Sequence, residues 1–302
     1  MSVLNFRMLS LAASLAACAS LGLGAAGVQR ESRERAIVVS VSTGNDAPVT
    51  DLTAPEFIVR ENGVAREVIR VAPAPPPTHV MLLIDDSQAT QESYPFLRDA
   101  LPKLIGRLAE LSPAPHIGFW TFGERPTKRA DVSPNPEQAM TAVKRLFPVS
   151  GAGAYFLQGI EESAAALKKA GAVAPVYIAF VAEGGPEFSS QLRSQIATTL
   201  RSMGASLWVV TLQQSSTQPI SAREARERAA VLGDVTVESG GWNKVILTPQ
   251  TIPQAFDTVT ALVTSRYLVT YGRPDSLIPP DKIEVTTKRG NVRVRASRWA
   301  GR

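Results

Sequence analysis

The sequence predicts an α/β protein: a doubly wound, mostly parallel sheet with a small β subdomain built from the N- and C-terminal segments. Three observations predict it. Residues 79–84 (His-Val-Met-Leu-Leu-Ile) form a continuous apolar run, the pattern of a strand buried on both faces. Beyond it, strand-like and helix-like stretches alternate at short intervals to about residue 264. On either side, residues 36–71 and 266–298 carry β patterning, and each set is too small to stand alone.

The elements follow in order. Residues 36–41 read as a strand, and Asn45 to Pro48 supply turn residues. Residues 56–61 read as a second strand, Asn62-Gly63 as a hairpin turn, and residues 66–71 as a third strand. The proline-rich stretch 73–77 is a stiff linker. A helix is expected over 93–111, with leucines at 97, 101, 104, 108 and 111 and a kink at Pro102. A strand over 116–122, a helix over 136–146 and a helix over 155–170 come next. The last of these ends in Lys168-Lys169 and Gly171, good C-terminal capping chemistry. Strands over 176–181 and 206–212 alternate with helices over 190–203, 221–232 and 251–264. Ser221 and Glu224 form a capping box for the helix at 221. Residues 288–291 read as a tight turn between two alternating strands at the C-terminal end.

The 302 residues are 44% hydrophobic and 20% charged, which excludes wholesale disorder and allows one large domain or two modest ones. A single cysteine excludes an intramolecular disulfide, and two histidines argue against a His-rich metal site or a Ser-His-Asp hydrolase. Both histidines, His79 and His116, begin apolar strands and are read as strand-end residues. The net charge of +5 raises nucleic acid, anionic lipid and acidic polymers as partners. Much of the excess sits between Lys282 and Arg302, with seven basic residues and one acid, Glu284. The arginines there read as a solvated strand face or as a basic patch.

The N-terminal stretch reads as a targeting segment. A positive charge at Arg7 precedes a short apolar run over 8–17, too short to span a bilayer, and small residues continue to Ala26. That is the pattern of a bacterial secretory signal. Leu15-Ala16-Ala17-Cys18 resembles a lipobox, which implies a signal peptide over 1–17 and membrane attachment through a lipidated Cys18. Cleavage near residues 24–26 and an uncleaved anchor are the open alternatives. The expected location is outside the cytoplasm: periplasm, outer-membrane lipoprotein or extracellular. Nucleic acid is therefore not an expected partner.

The chemistry centres on residues 82–90, Leu-Leu-Ile-Asp-Asp-Ser-Gln-Ala-Thr. Ligands of open parallel sheets bind at the carboxyl ends of the strands, where Asp85 and Ser87 would present hard oxygens to a divalent cation. This stretch resembles the opening of a von Willebrand factor A (VWA) domain, a hydrophobic strand followed by Asp-x-Ser-x-Ser. Residues 48–63 and 265–296 are similar to the flanks of the bacterial secreted "VWFA-related" family, so the resemblance covers roughly residues 36–299. It implies a β segment over 36–72, a VWA domain over 78–265, and a β segment over 266–299 that pairs with the first.

The resemblance also implies a metal-ion-dependent adhesion site, and here the pattern departs from it. Asp85 and Ser87 match the first Asp and Ser. Ala89 stands at the second Ser, Ala154 at the Thr, and Glu183 at the last Asp. The expected metal set is Asp85, Ser87 and Glu183, holding Mg²⁺ or Ca²⁺ weakly or not at all. Thr90, Asp86 and Ser150 are the nearest substitutes. No nucleophile elbow, zinc-protease helix or P-loop is present in the sequence. The expected function is an exported, non-enzymatic binding protein that engages an extracytoplasmic protein through its strand-end face. In metal-bearing VWA domains the partner supplies an acidic residue. Tyr155, Phe156, Phe188 and Trp242 are candidate contacts. A structural envelope component using its basic β segment is the alternative, and a hydrolase is the remaining one.

Overall fold

A computed structural model describes residues 32–215, 222–274 and 278–299. The lipobox with Cys18 and the capping Ser221 lie outside them. In chain order the strands are β1 (Ser32–Thr43), β2 (Phe57–Glu61), β3 (Val64–Arg66), β4 (Val68–Pro73), β5 (His79–Ile84), β6 (His116–Thr121), β7 (Thr127–Ser133), β8 (Val176–Ala182), β9 (Ser206–Leu212), β10 (Trp242–Ile246), β11 (Tyr267–Pro274), β12 (Ile283–Thr287) and β13 (Val292–Ala296). The helices are α1 (Tyr94–Ala109), α2 (Pro136–Lys144), α3 (Phe156–Lys169), α4 (Arg193–Met203), α5 (Arg223–Ala230), α6 (Thr236–Glu238) and α7 (Ile252–Thr264). A π turn, Val231–Val235, joins α5 to α6. No helix among the described residues is long and apolar enough to cross a membrane.

The main sheet has the order β10-β9-β8-β5-β6-β7, parallel except for β7. Its centre is dry, with every residue of β5 and β8 buried. Alternation along β5 divides the core. Val80, Leu82 and Ile84 face the cluster under α1, α2 and α7. Met81 and Leu83 face the one under α3, α4 and the π turn. Two strands lie where the sequence pattern gave no signal. β7 is rich in charge, and β10 alternates poorly behind two glycines; both are edge strands with little side-chain burial to impose a pattern. Gly241 is required there, because a Cβ would overlap the backbone of Leu207 on β9. Helix α1 continues through Pro102.

The remaining strands form a small sandwich. Sheet β13-β1-β11-β4 packs on sheet β12-β2-β3 around Ile37, Val39, Val41, Phe57, Val59 and Val269. The Asn62-Gly63 turn between β2 and β3 has positive φ at both residues, as a tight hairpin requires. The 288–291 turn joins β12 to β13, but the two strands belong to opposite sheets and do not pair with each other. A charged cluster sits in this sandwich. Glu61, almost fully buried, takes Arg66 at 3.0 Å, Arg273 at 3.1 Å and the Tyr271 hydroxyl at 3.0 Å.

Several contacts tie the sandwich to the main domain. The Ser40 hydroxyl donates to Leu262 O on α7, Lys244 of β10 pairs with Asp46, and Trp299 is buried in the main core beneath Arg201. Asp46 also takes Arg293 at 3.2 Å and Arg295 at 3.4 Å, so these arginines serve an internal ion pair as well as a strand face.

Replacing Glu61 leaves two poorly exposed guanidiniums without their carboxylate. Glu61→Ala is expected to lower the unfolding free energy by about 3 kcal/mol in urea titration.

Candidate functional site

The carboxyl ends of β5, β6 and β8 meet at one apex, where Asp85, Ser87, Ala89, Ala154 and the loop after β8 come together. Asp85 is fully buried, and both its oxygens are already engaged: Oδ1 accepts from Ser87 N at 2.9 Å and Oδ2 from Ala182 N at 3.0 Å. Burial pushes its carboxyl up, while the Ser87 side chain and the two amides pull it back. The Ser87 hydroxyl is buried beside it without a hydrogen bond of standard geometry.

Asp86 turns to other partners. Its Oδ1 accepts from Gly123 N at 2.6 Å, and Oδ2 accepts from Arg129, which also reaches the Thr121 hydroxyl. This close seat requires glycine at 123, since a Cβ would stand 2.6 Å from Ser87 N. Thr90 donates to Ser87 O at 2.7 Å, so its hydroxyl serves the local turn. Ser150 is exposed.

Ala154 is the hub of a short three-stranded ladder. It bridges Gly123 on one side and Glu187 on the other, through Tyr155 N to Phe122 O, Ala154 N to Pro186 O and Phe188 N to Ala154 O. A methyl therefore fills the place where the VWA pattern expects a hydroxyl. Gly185 closes the apex from above: a Cβ built on it would lie 3.2 Å from Ala89 Cβ and 3.6 Å from Ser87 Oγ.

The cations at this apex are guanidiniums. Buried Arg228 donates to Gly185 O at 3.1 Å and Glu183 O at 3.4 Å, and lies 4.0 Å from Glu187. Glu187 is itself fully buried. It accepts from Ser189 N and Phe156 N, and burial pushes its carboxyl up to about 7 against the opposing pull of these bonds and Arg228.

The residues present do not fit a divalent cation. Mg²⁺ and Ca²⁺ need several free oxygens converging at about 2–2.6 Å. Each Asp85 oxygen already accepts a backbone amide, two positions are methyl groups, and the Glu183 carbonyl is taken by Arg228. Among the described residues no three His, Cys, Asp or Glu side chains gather as a metal site.

The aromatic candidates separate. Phe188 is 51% exposed, lies against Gly153 and Pro186, and meets the half-buried Tyr155 with ring centroids 5.8 Å apart. Phe156 is a correction: it is fully buried against Phe122, because it opens α3 facing the core. Trp242 is a second correction. It begins the edge strand β10, level with Leu82 in the middle of β5 and three strands away from it, and sits half-buried against Arg295 and Lys244. His79 and His116 pack edge to face at strand starts, at the end of the sheet away from Asp85. Sequence reasoning missed Glu187, Arg129 and Arg228. No periodic signal marks them; Arg228 in particular stands in a run of charges that reads as a solvated helix face.

No family model matches the sequence, and no curated protein matches it. Solved structures do. Proximal thread matrix protein 1 from the mussel byssus superposes with a TM-score of 0.51 at 13% identity, over 64% of this chain and 50% of that one. The match thus spans about half the mussel protein. Another structure of that protein is described with a zinc-occupied MIDAS motif. A von Willebrand factor type A protein from Catenulispora acidiphila matches at 11% identity with a TM-score of 0.48, over 88% of this chain and 73% of that one. Topology and superposition together define the class: this chain has a VWA fold, carrying a small antiparallel sandwich beside it.

Glu187 gives the apex a pH signature. A carboxyl raised in the folded state keeps its proton while the unfolded chain loses it, so stability falls as pH rises from about 4.5 to about 7. Urea unfolding between pH 5 and pH 8 is expected to show a loss approaching roughly 3 kcal/mol from this group, absent in Glu187→Gln. The variant comparison isolates it from His79, whose lowered pKa acts in the opposite direction.

Proposed function

We propose that this protein is a metal-independent, non-enzymatic VWA binding protein that works outside the cytoplasm. It grips a protein partner through the loops at the carboxyl ends of the main strands. The observation that carries this reading is the commitment of Asp85 and Asp86 to backbone amides and Arg129, at the point where a metal-dependent domain would hold its ion. Contact with a partner is then direct. Phe188 and Tyr155 are the anchor: exposed Phe188, fixed against Gly153, packs on half-buried Tyr155, which carries little ordering cost on binding.

Export rests on the basic, apolar and small-residue order of the N-terminal stretch, and membrane attachment on the lipobox-like Leu15 to Cys18. The non-enzymatic reading is supported by the separation of groups. Ser87 is sealed under Gly185, and both histidines lie at the far end of the sheet. Arg293 and Arg295 are engaged by Asp46, which disfavours them as the main binding surface.

Calorimetric titration of Mg²⁺, Mn²⁺ and Ca²⁺ into chelator-stripped protein is expected to give no saturable heat up to millimolar metal. A saturable site lost in Asp85→Ala would overturn the metal-independent reading. Retention of a partner from a cell-envelope extract is expected to fall about tenfold or more in Phe188→Ser. Retention equal to that of the unaltered protein would remove the strand-end face as the contact.

A further inference from the structure

The small sandwich has an open side. β12 and β13 are each the last strand of their sheet, and both present an unpaired edge to one cleft. Register gives the direction of their backbone groups. Lys282 O accepts from Asn62 N, and Lys288 N donates to Glu56 O, so even-numbered residues of β12 bond to β2 and odd ones turn outward. Ile283 N is taken by Arg298 O, which leaves Val285 and Thr287 as the free edge.

The same reasoning applies to β13. Val41 O and Thr43 N of β1 are taken by Val49 and Ala47, on the side away from β13. Ser40 and Ser42 therefore bond to Arg295 and Arg293, and Val292 and Val294 turn outward.

The cleft measures about 500 Å³. Its floor is the half-buried side chains of Val285, Val292 and Val294 at the rim of the sandwich core, and its far wall is Trp242. Exposed strand edges are commonly blunted by proline, a bulge or a covering element. Neither β12 nor β13 contains a proline, and neither pairing has a register shift. A rigid edge of free amides and carbonyls over an apolar floor suits an extended backbone, not a helix.

Charge narrows the occupant further. Arg289 is held by Asp51 and Glu56, and Arg295 by Asp46. Exposed Arg298 lines the same cleft; its guanidinium makes no hydrogen bond or close ion pair among the described residues and feels Glu284 only through a longer-range attraction. Glu284, the acid in the lining, bonds to Lys282.

We propose that this cleft accepts an extended segment of a partner protein that adds as a strand to the open edges of β12 and β13 and places an acidic side chain on Arg298. Alternate side chains of that segment would lie on Val285, Val292 and Val294. The site is separate from the strand-end loops: its wall, Trp242, lies on the edge strand of the main sheet, three strands from β5 and level with Leu82 rather than with Asp85.

A random heptapeptide display library panned against the immobilised protein tests this. Enriched peptides are expected to combine β-branched residues with Asp or Glu and to protect the amides of Val285, Thr287, Val292 and Val294 from hydrogen exchange. N-methylation of alternate peptide amides is expected to weaken binding at least about tenfold. Arg298→Glu, a surface change that leaves the fold intact, is expected to do the same, while Phe188→Ser leaves binding unchanged. No enrichment, enrichment of basic peptides, or binding indifferent to both N-methylation and Arg298→Glu overturns the proposal. Loss of binding in Phe188→Ser would place the peptides on the strand-end face instead.

Discussion

Everything at the strand-end apex follows from one buried carboxylate. Asp85 stands at the end of a strand with no solvent on either face, where burial raises the cost of its charged form. Two backbone amides offset that cost, one within its own turn and one from β8. The bond to Ala182 N fixes the end of β8 against β5, and the loop after β8 is thereby brought over Ser87 and Ala89. Arg228 then donates hydrogen bonds to the carbonyls that this loop turns inward and faces Glu187. A divalent cation binds several loops by pulling their oxygens together. Here the loops are joined by peptide hydrogen bonds and guanidiniums, which require no ion from the surroundings.

The scaffold was legible in the sequence because burial imposes a pattern. The apolar run of β5, the helical spacing of α1 and the alternation in β2 and β12 each reflect a face turned to a core. The strands with little buried surface, β7 and β10, left no such trace. Trp242 shows the same limit from the other side: a Gly-rich stretch reads as a loop, yet its glycines serve close strand packing against Leu207.

The apex was legible in outline only. Aspartate and serine at 85 and 87, and alanine at 89 and 154, marked both the site and its departure from the VWA pattern. What replaced the missing ligands was not legible. Glu187 and Arg228 are far apart in sequence, and their burial follows from how the loops and α5 close, which is a tertiary outcome. Phe156 illustrates the point at a single residue: one position along the chain from the half-buried Tyr155, it enters α3 and turns wholly inward.

The pairing of β1 with β11 and β13 has a consequence for the order of folding. The main domain draws its sheet from a continuous stretch, but the sandwich needs strands more than 200 residues apart, as in Val39 beside Tyr267 and Ala296. A chain made from its N-terminus onward therefore carries β1 and β4 without partners, and the β2–β3 hairpin without its third strand, throughout synthesis of the main domain. Their edges and apolar faces are exposed for that interval, which is when a nascent chain is most open to mispairing and to proteases. β11 and β13 complete the sheet that β1 belongs to, so these late strands act as the latch on the sandwich.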